Sequence, residues 1–326
     1  MESTTLPAPL DTPPAPNSKA WLVASAALRV AIRDRTVVWL TAMFLTMVLV
    51  SAYLGWSATH TLDGIFQKAI PVLKSLGKDI PVNPASEVSP LSDLRNMTTY
   101  VSLLGALAAI VLGTQLIGAD RKSGVFPLIA SRPVSLTSYA LGKILALFIA
   151  IAALLAVTAA VNALTMLLLP GQSLTVADWE HLSAFYGVSA LCLVAFGLIG
   201  LYFSVVAKSE SLALLIPVTI WLAMTFVLPQ LTSNTNPMNA LNPIKATVVP
   251  TTGSFFDITS TILGPFSLMD IYRSLAATIL GFTPGVHMPQ STTSGILIYL
   301  AVILIACYGI VRAIGSFDAS RSEYND

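Results

Sequence analysis

Charge is what this chain has least of. Of its 326 residues only 10% are Asp, Glu, Lys or Arg, while 55% are hydrophobic. A soluble globular domain carries about 25% charged residues, so the polar cover of a water-facing surface is missing. The mean hydropathy of +0.78 agrees. Composition therefore excludes a cytosolic enzyme, a disordered scaffold and a secreted disulfide framework. An all-α polytopic membrane protein remains. A basic excess is absent too: 17 Lys and Arg stand against 16 Asp and Glu, which argues against a nucleic-acid partner. Cysteine is nearly missing. Cys192 and Cys307 lie inside apolar runs and read as small hydrophobic fillers, not as a disulfide or metal pair.

Catalytic motifs are lacking as well. No G-x-x-x-x-G-K-[ST] occurs, so no loop of this chain is expected to cradle a triphosphate. H-E-x-x-H, C-x-x-C and G-x-S-x-G are also absent, which removes the commonest zinc, redox and serine-hydrolase readings. His60, His181 and His287 fall in expected outer segments, and Met288 follows His287. Their spacing fixes no ligand set, so they read as solvated loop residues and no metal site is assigned.

What is present is six apolar stretches of spanning length, about 20 residues for about 30 Å of hydrocarbon. They run from Val37 to Trp56, Thr99 to Gly118, Ile144 to Leu169, Ala184 to Ala207, Leu212 to Leu228 and Ser294 to Val311. None has an Asp, Glu, Lys, Arg or His in its interior, whereas ion-coupled transporters and pumps place ionisable groups at depth. The notable polar groups are Gln115, Thr158, Asn162 and Thr165. They either line a pathway suited to a bulky or amphipathic substrate or simply join helices. Energy for transport must then come from elsewhere. Gly105 and Gly113 in the second stretch, with Gly197 and Gly200 in the fourth, permit close helix approach. Lys208 to Ser211 separates the fourth and fifth stretches, which predicts a tight hairpin.

Basic residues set the orientation. With the N-terminus inside, eleven of the 17 fall in inner segments: Lys19, Arg29, Arg33, Arg35, Arg121, Lys122, Arg132, Lys143, Lys208, Arg312 and Arg321. Both termini are expected in the cytoplasm. Residues 1–18, rich in Pro, Thr and Ser, read as a disordered tail rather than a signal peptide. Residues 19–36 predict an amphipathic helix, with Arg29 and Arg33 on one face and Trp21 largely on the other. It either lies in the cytoplasmic interface against lipid or simply extends the first span. The transmembrane domain is placed at 37–318, with an outer loop at 229–293 and a tail at 319–326. Ser57 to Thr98 is expected as a polar outer excursion. In the last outer loop, the stretch after Pro265 predicts an interfacial or re-entrant helix. Its apolar side would carry Phe266, Ile271, Leu275, Ile279 and Phe282, and its other side Asp270, Arg273, Ser274 and Thr278.

The inner loop, 119–143, carries most. From Gly118 it reads GADRKSGVFPLIASRPVSLTSYALGK. Gly124 permits a break, Val125 to Ala130 is a short apolar patch, and Pro133 suits the first turn of a new helix. Such a patch either plugs a groove on a partner or meets lipid headgroups. Here the chain resembles the ABC-2 type permeases, the membrane subunits of type V ABC exporters. Their corresponding loop has the form Glu-x-x-x-Gly-Thr, a leucine-rich stretch, Ser-Arg-Pro-Val-Ser and Gly-Lys. The match falls on Gly124, Leu128, Ser131, Arg132, Pro133, Val134, Ser135, Gly142 and Lys143, with departures at Asp120 and Val125. Asp270-Ile271-Tyr272-Arg273 also resembles a segment in the permease of the copper-processing nitrous-oxide-reductase maturation transporter.

The resemblance implies a permease subunit of an ATP-driven exporter in a prokaryotic inner membrane. It implies two cytoplasmic ATPase subunits holding ATP and Mg, and a second permease copy or a paralogue. This chain itself would bind no cofactor. Asp120, Gly124, Phe126, Leu128, Arg132, Pro133 and Lys143 would couple it to the ATPase. A non-transporting assembly subunit and a membrane-embedded enzyme are the alternatives.

Overall fold

The computed structural model describes residues 16–77, 91, 94–124, 135–168, 175–233, 253–281 and 291–316. All regular structure among them is helical. Helix α1 (Pro16–Arg33) breaks at Asp34, whose carboxylate caps α2 (Arg35–Ser75) by accepting from the Thr36 and Val37 amides at 2.8 and 3.2 Å. The second span is α3 (Arg95–Tyr100), a π turn at Val101–Gly105, and α4 (Ala106–Lys122). Then come α5 (Leu136–Leu168) and α6 (Val176–Val206). The fifth span is α7 (Glu210–Leu222), a second π turn at Ala223–Val227, and α8 (Leu228–Ser233). Outside the spans follow α9 (Ser254–Leu263) and α10 (Leu268–Leu280), and α11 (Thr292–Gly315) is the sixth span.

Among the described residues, six helical stretches are long and apolar enough to cross a bilayer, in the order the hydropathy predicts. Their ends differ from expectation. The first helix does not stop near Trp56 but continues to Ser75, through Pro71. Phe66, Ile70 and Leu73 keep a helical spacing and are half-buried, so the period persists where mean hydropathy falls. At about 1.5 Å per residue, its 41 residues reach about 60 Å, twice the hydrocarbon core. The fourth helix starts early, at Val176, because Thr175 and Asp178 form a reciprocal capping box there.

Helix α6 is the centre of the bundle, packed against α4, α5, α7, α10 and α11. Its backbone and that of α4 touch: a Cβ on Gly113 would collide with the Gly197 carbonyl oxygen. Any side chain there would force the two spans apart. Two corrections concern α10. Asp270, expected on the polar side, is fully buried, while Phe266, expected on the apolar side, is 65% exposed. Ser267 supplies the reason, donating to the Asp270 carboxylate at 2.7 Å within a single turn. Phe282 lies outside the described residues.

Candidate functional site

The end of the bundle bearing the loop between the second and third spans holds two buried cations, Arg121 and Lys143. Helix α4 closes there with the Ser123 amide on the Ala119 carbonyl and Gly124 in the left-handed region at φ 64°. A glycine takes that conformation without a Cβ penalty, so the chain turns sharply out of the bundle. It returns at Ser135, whose hydroxyl accepts from the Ser138 amide and starts α5. The two feet of the loop are clamped together. The Lys143 ammonium sits 2.7 Å from the Asp120 carboxylate. The same carboxylate oxygen accepts from the Tyr139 hydroxyl at 2.6 Å, and Lys143 also donates to the Leu116 carbonyl. Lys143 lies 5.3 Å from the centroid of the Tyr139 ring as well. An ion pair drawn out of water depends on further hydrogen bonds, and here Tyr139 and the Leu116 carbonyl supply them.

Helix α1 docks beside this clamp. A Cβ on Gly142 would stand 2.6 Å from Val23 Cβ and 2.8 Å from the Ala20 carbonyl oxygen, so α1 lies on the backbone of α5. Ala24, Ala27 and Ala31 are buried, while Trp21, Leu22, Arg29 and Arg33 face outward. A cleft between α1, α4 and α5 is lined by Ala27, Asp34, Gln115, Asp120 and Lys143.

Of the loop residues singled out above, Asp120 and Lys143 are thus brought together, and Gly124 turns the chain out of α4. Phe126, Leu128, Arg132 and Pro133 lie outside the described residues. The four polar span residues do not share one lining. Gln115 borders the cleft, whereas Asn162 lies about five turns beyond Lys143 along α5. There its amide donates to the Tyr186 hydroxyl and the Met97 sulfur at 2.7 and 2.8 Å. Thr158 and Thr165 donate to carbonyls of their own helix.

At the opposite end, α10 carries a second polar cluster. The Tyr272 and Ser189 hydroxyls are 3.0 Å apart, and Tyr299 donates to the Leu268 carbonyl at 2.6 Å. Asp270 and Arg273 form an ion pair at 3.9 Å, too long for a hydrogen bond. Burial pushes the Asp270 carboxyl up to about 6, against the opposing pull of Ser267 and Arg273. Burial likewise lowers the Arg273 guanidinium from its ordinary value. His60 stacks on Trp56, and Met288 and His287 lie outside the described residues.

Sequence reasoning missed Tyr139 as the third member of the clamp. It also read Arg121 only as a topological charge. Arg121 is 2% exposed and donates to the Ser204 and Ala207 carbonyls, each at 2.8 Å. A carbonyl acceptor leaves no mark in sequence, but an Arg one residue inside the last turn of an apolar helix was visible.

A family model described as "ABC-2 family transporter protein" matches residues 21–314. The chain belongs to the ABC-2 family. The match starts at Trp21, so it takes in most of α1 as well as the six spans. No curated protein matches this ABC-2 chain. As an ABC-2 member it is a multi-pass membrane component of an ABC transporter, of a family that generally works with an ATPase subunit.

Proposed function

We propose that this chain is the permease subunit of an ATP-driven exporter, moved by a separate cytoplasmic ATPase through the loop between its second and third spans. The observation that carries this reading is the clamp of Asp120, Lys143 and Tyr139. A soluble subunit can drive a membrane subunit only through contacts at the membrane face. A loop whose two feet are tied across α4 and α5 moves both spans together, whereas untied feet would absorb the push. The distribution of Lys and Arg supports placing this end, and both termini, in the cytoplasm, and the ABC-2 family supports a prokaryotic inner membrane as the site. The outward Trp21, Arg29 and Arg33 of α1 then meet lipid at headgroup depth. ATP and Mg belong to the partner, in two copies, and a second permease copy or a paralogue completes the pathway. The chain itself holds no cofactor and performs no catalysis.

Phe126 is the anchor we assign to the ATPase groove, because large aromatics dominate such contacts. Arg132 and Asp120 orient it at the rim. The experiment is co-purification of the tagged protein with its ATPase. Phe126→Ala should weaken association or uncouple hydrolysis from transport while membrane insertion stays intact, and Arg95→Ala at the opposite end should do neither. Wild-type association and hydrolysis in Phe126→Ala would remove the plug assignment. Nucleotide hydrolysis by the purified chain without an ATPase would remove the permease reading altogether.

A further inference from the structure

Three consecutive residues at the end of α4 reach three different neighbours. Successive residues on a helix point about 100° apart, so Asp120, Arg121 and Lys122 necessarily diverge. Asp120 turns to α5, where it meets Lys143 and Tyr139. Arg121 turns to the end of α6, donating to the Ser204 and Ala207 carbonyls. Lys122 turns to the start of α7 and pairs with Glu210 at 3.0 Å.

The three contacts differ in strength. Carbonyls in the last turn of a helix have no partner within it, and they carry the negative end of its dipole. Arg121 meets both needs with one guanidinium, out of water. Lys122 and Glu210 keep 68% and 40% of their side chains exposed, the setting in which an ion pair contributes little. Between α6 and α7 lie only Ala207, Lys208 and Ser209, and the Ser209 hydroxyl caps α7 by accepting from the Leu212 amide. The fourth and fifth spans therefore share one short turn, and Arg121 holds that turn.

We infer that Arg121 is the positioning residue that passes displacement of the inner loop to the hairpin of the fourth and fifth spans. This rests on the reading of the loop as the ATPase contact. Asp120 and Arg121 together divide the motion: the first carries it to the third span, the second to the hairpin. Lys gives a poor substitute, since both bonds leave from the outermost guanidinium nitrogen, Nη1, and the shorter lysine stem ends before that position.

The test uses the permease with its co-purifying ATPase in lipid nanodiscs, comparing Mg-ADP with Mg-ATP by amide hydrogen exchange. In the wild type, protection should change both in 119–124 and in 204–212. In Arg121→Gln, the change at 119–124 should persist while that at 204–212 falls about fivefold or more, the lower end of typical coupling between sites. Arg121→Lys should behave likewise, and it decides on the same criterion if Arg121→Gln fails to fold. Glu210→Gln should alter the hairpin response by less than about twofold, as an exposed pair predicts. An undiminished response at 204–212 in the Arg121 variants would make Arg121 a mere staple and overturn the proposal. A wild type in which 119–124 responds but 204–212 does not overturns it too, leaving the ATPase contact standing. If 119–124 does not respond even in the wild type, the coupling reading fails and takes the proposal with it.

Discussion

Asp120 and Lys143 stand at opposite feet of the inner loop, yet their charged atoms are 2.7 Å apart. The two are not equally sheltered. Only 5% of the Lys143 side chain is exposed, against 22% for Asp120. Desolvation therefore weighs more on the ammonium, and the carboxylate is what keeps it tolerable.

An asymmetry follows for single substitutions. Asp120→Asn leaves a buried ammonium with the Leu116 carbonyl and the Tyr139 ring as its remaining partners. It should cost about 3–5 kcal/mol, the range for breaking one side of a buried pair. Lys143→Met should cost less, because the carboxylate retains the Tyr139 hydroxyl and some water. The double variant should recover much of the loss. Thermal unfolding in detergent of the four proteins closes the cycle, and equal, additive effects would show that the pair is not coupled.

Asp270 should make stability depend on pH in an unusual direction. Its carboxyl is raised from 3.8 to about 6, so the folded protein holds its proton more tightly than the unfolded chain. Stability from this group is complete below about 4 and is lost as pH rises through about 6. Asp270→Asn mimics the protonated state at every pH. Wild type and variant should match near pH 4, and the variant should gain up to about 3 kcal/mol on the wild type above pH 6. Arg273 stays charged throughout this window and does not tilt the comparison. Thermal midpoints that stay parallel from pH 4 to 8 would mean that Asp270 does not titrate there.

What sequence made legible, and what it did not, follows from the range of each signal. Six spans and their order stood out because apolar composition over about 20 residues is a local property. The continuation of α2 to Ser75 was hidden because a hydropathy average discards the periodicity of Phe66, Ile70 and Leu73. A helical wheel puts Asp270 on the wrong side because it sends acids to water, whereas Ser267 and Arg273 give this one partners inside. The clamp is half legible: the loop pattern marks Asp120 and Lys143 singly, but their pairing is a relation between two helices. Arg121 shows in sequence only as a charge, because its partners are backbone atoms, which no residue code records.

Orientation is testable apart from coupling. Ser123 and Thr292 are both exposed and belong to opposite ends of the bundle. With the loop in the cytoplasm, a cysteine at Thr292 should react with a membrane-impermeant maleimide in intact cells, and one at Ser123 only after permeabilisation. The reverse pattern inverts the topology and removes the loop from the ATPase side.

The docking of α1 depends on the absence of one side chain. Val23 Cβ and the Ala20 carbonyl occupy the space a Cβ on Gly142 would need, at 2.6 and 2.8 Å, and both belong to the helix framework rather than to a flexible tip. Neither can swing away. Gly142→Leu must therefore push α1 off α5, an overpacking cost of about 1–3 kcal/mol. Arg29 and Arg33 are already exposed but lie on an intact helix, so trypsin reaches them only when α1 opens. Cleavage there should accelerate about tenfold, which corresponds to about 1.4 kcal/mol. Gly64→Ala is the matched control, since a Cβ at Gly64 meets nothing within 4 Å. It should leave the α1 digestion rate unchanged and firm α2 by a fraction of the Gly-to-Ala helix preference, about 1 kcal/mol at most. If Gly142→Leu digests at the wild-type rate, α1 is not held by this contact, and its place beside the clamp needs another cause.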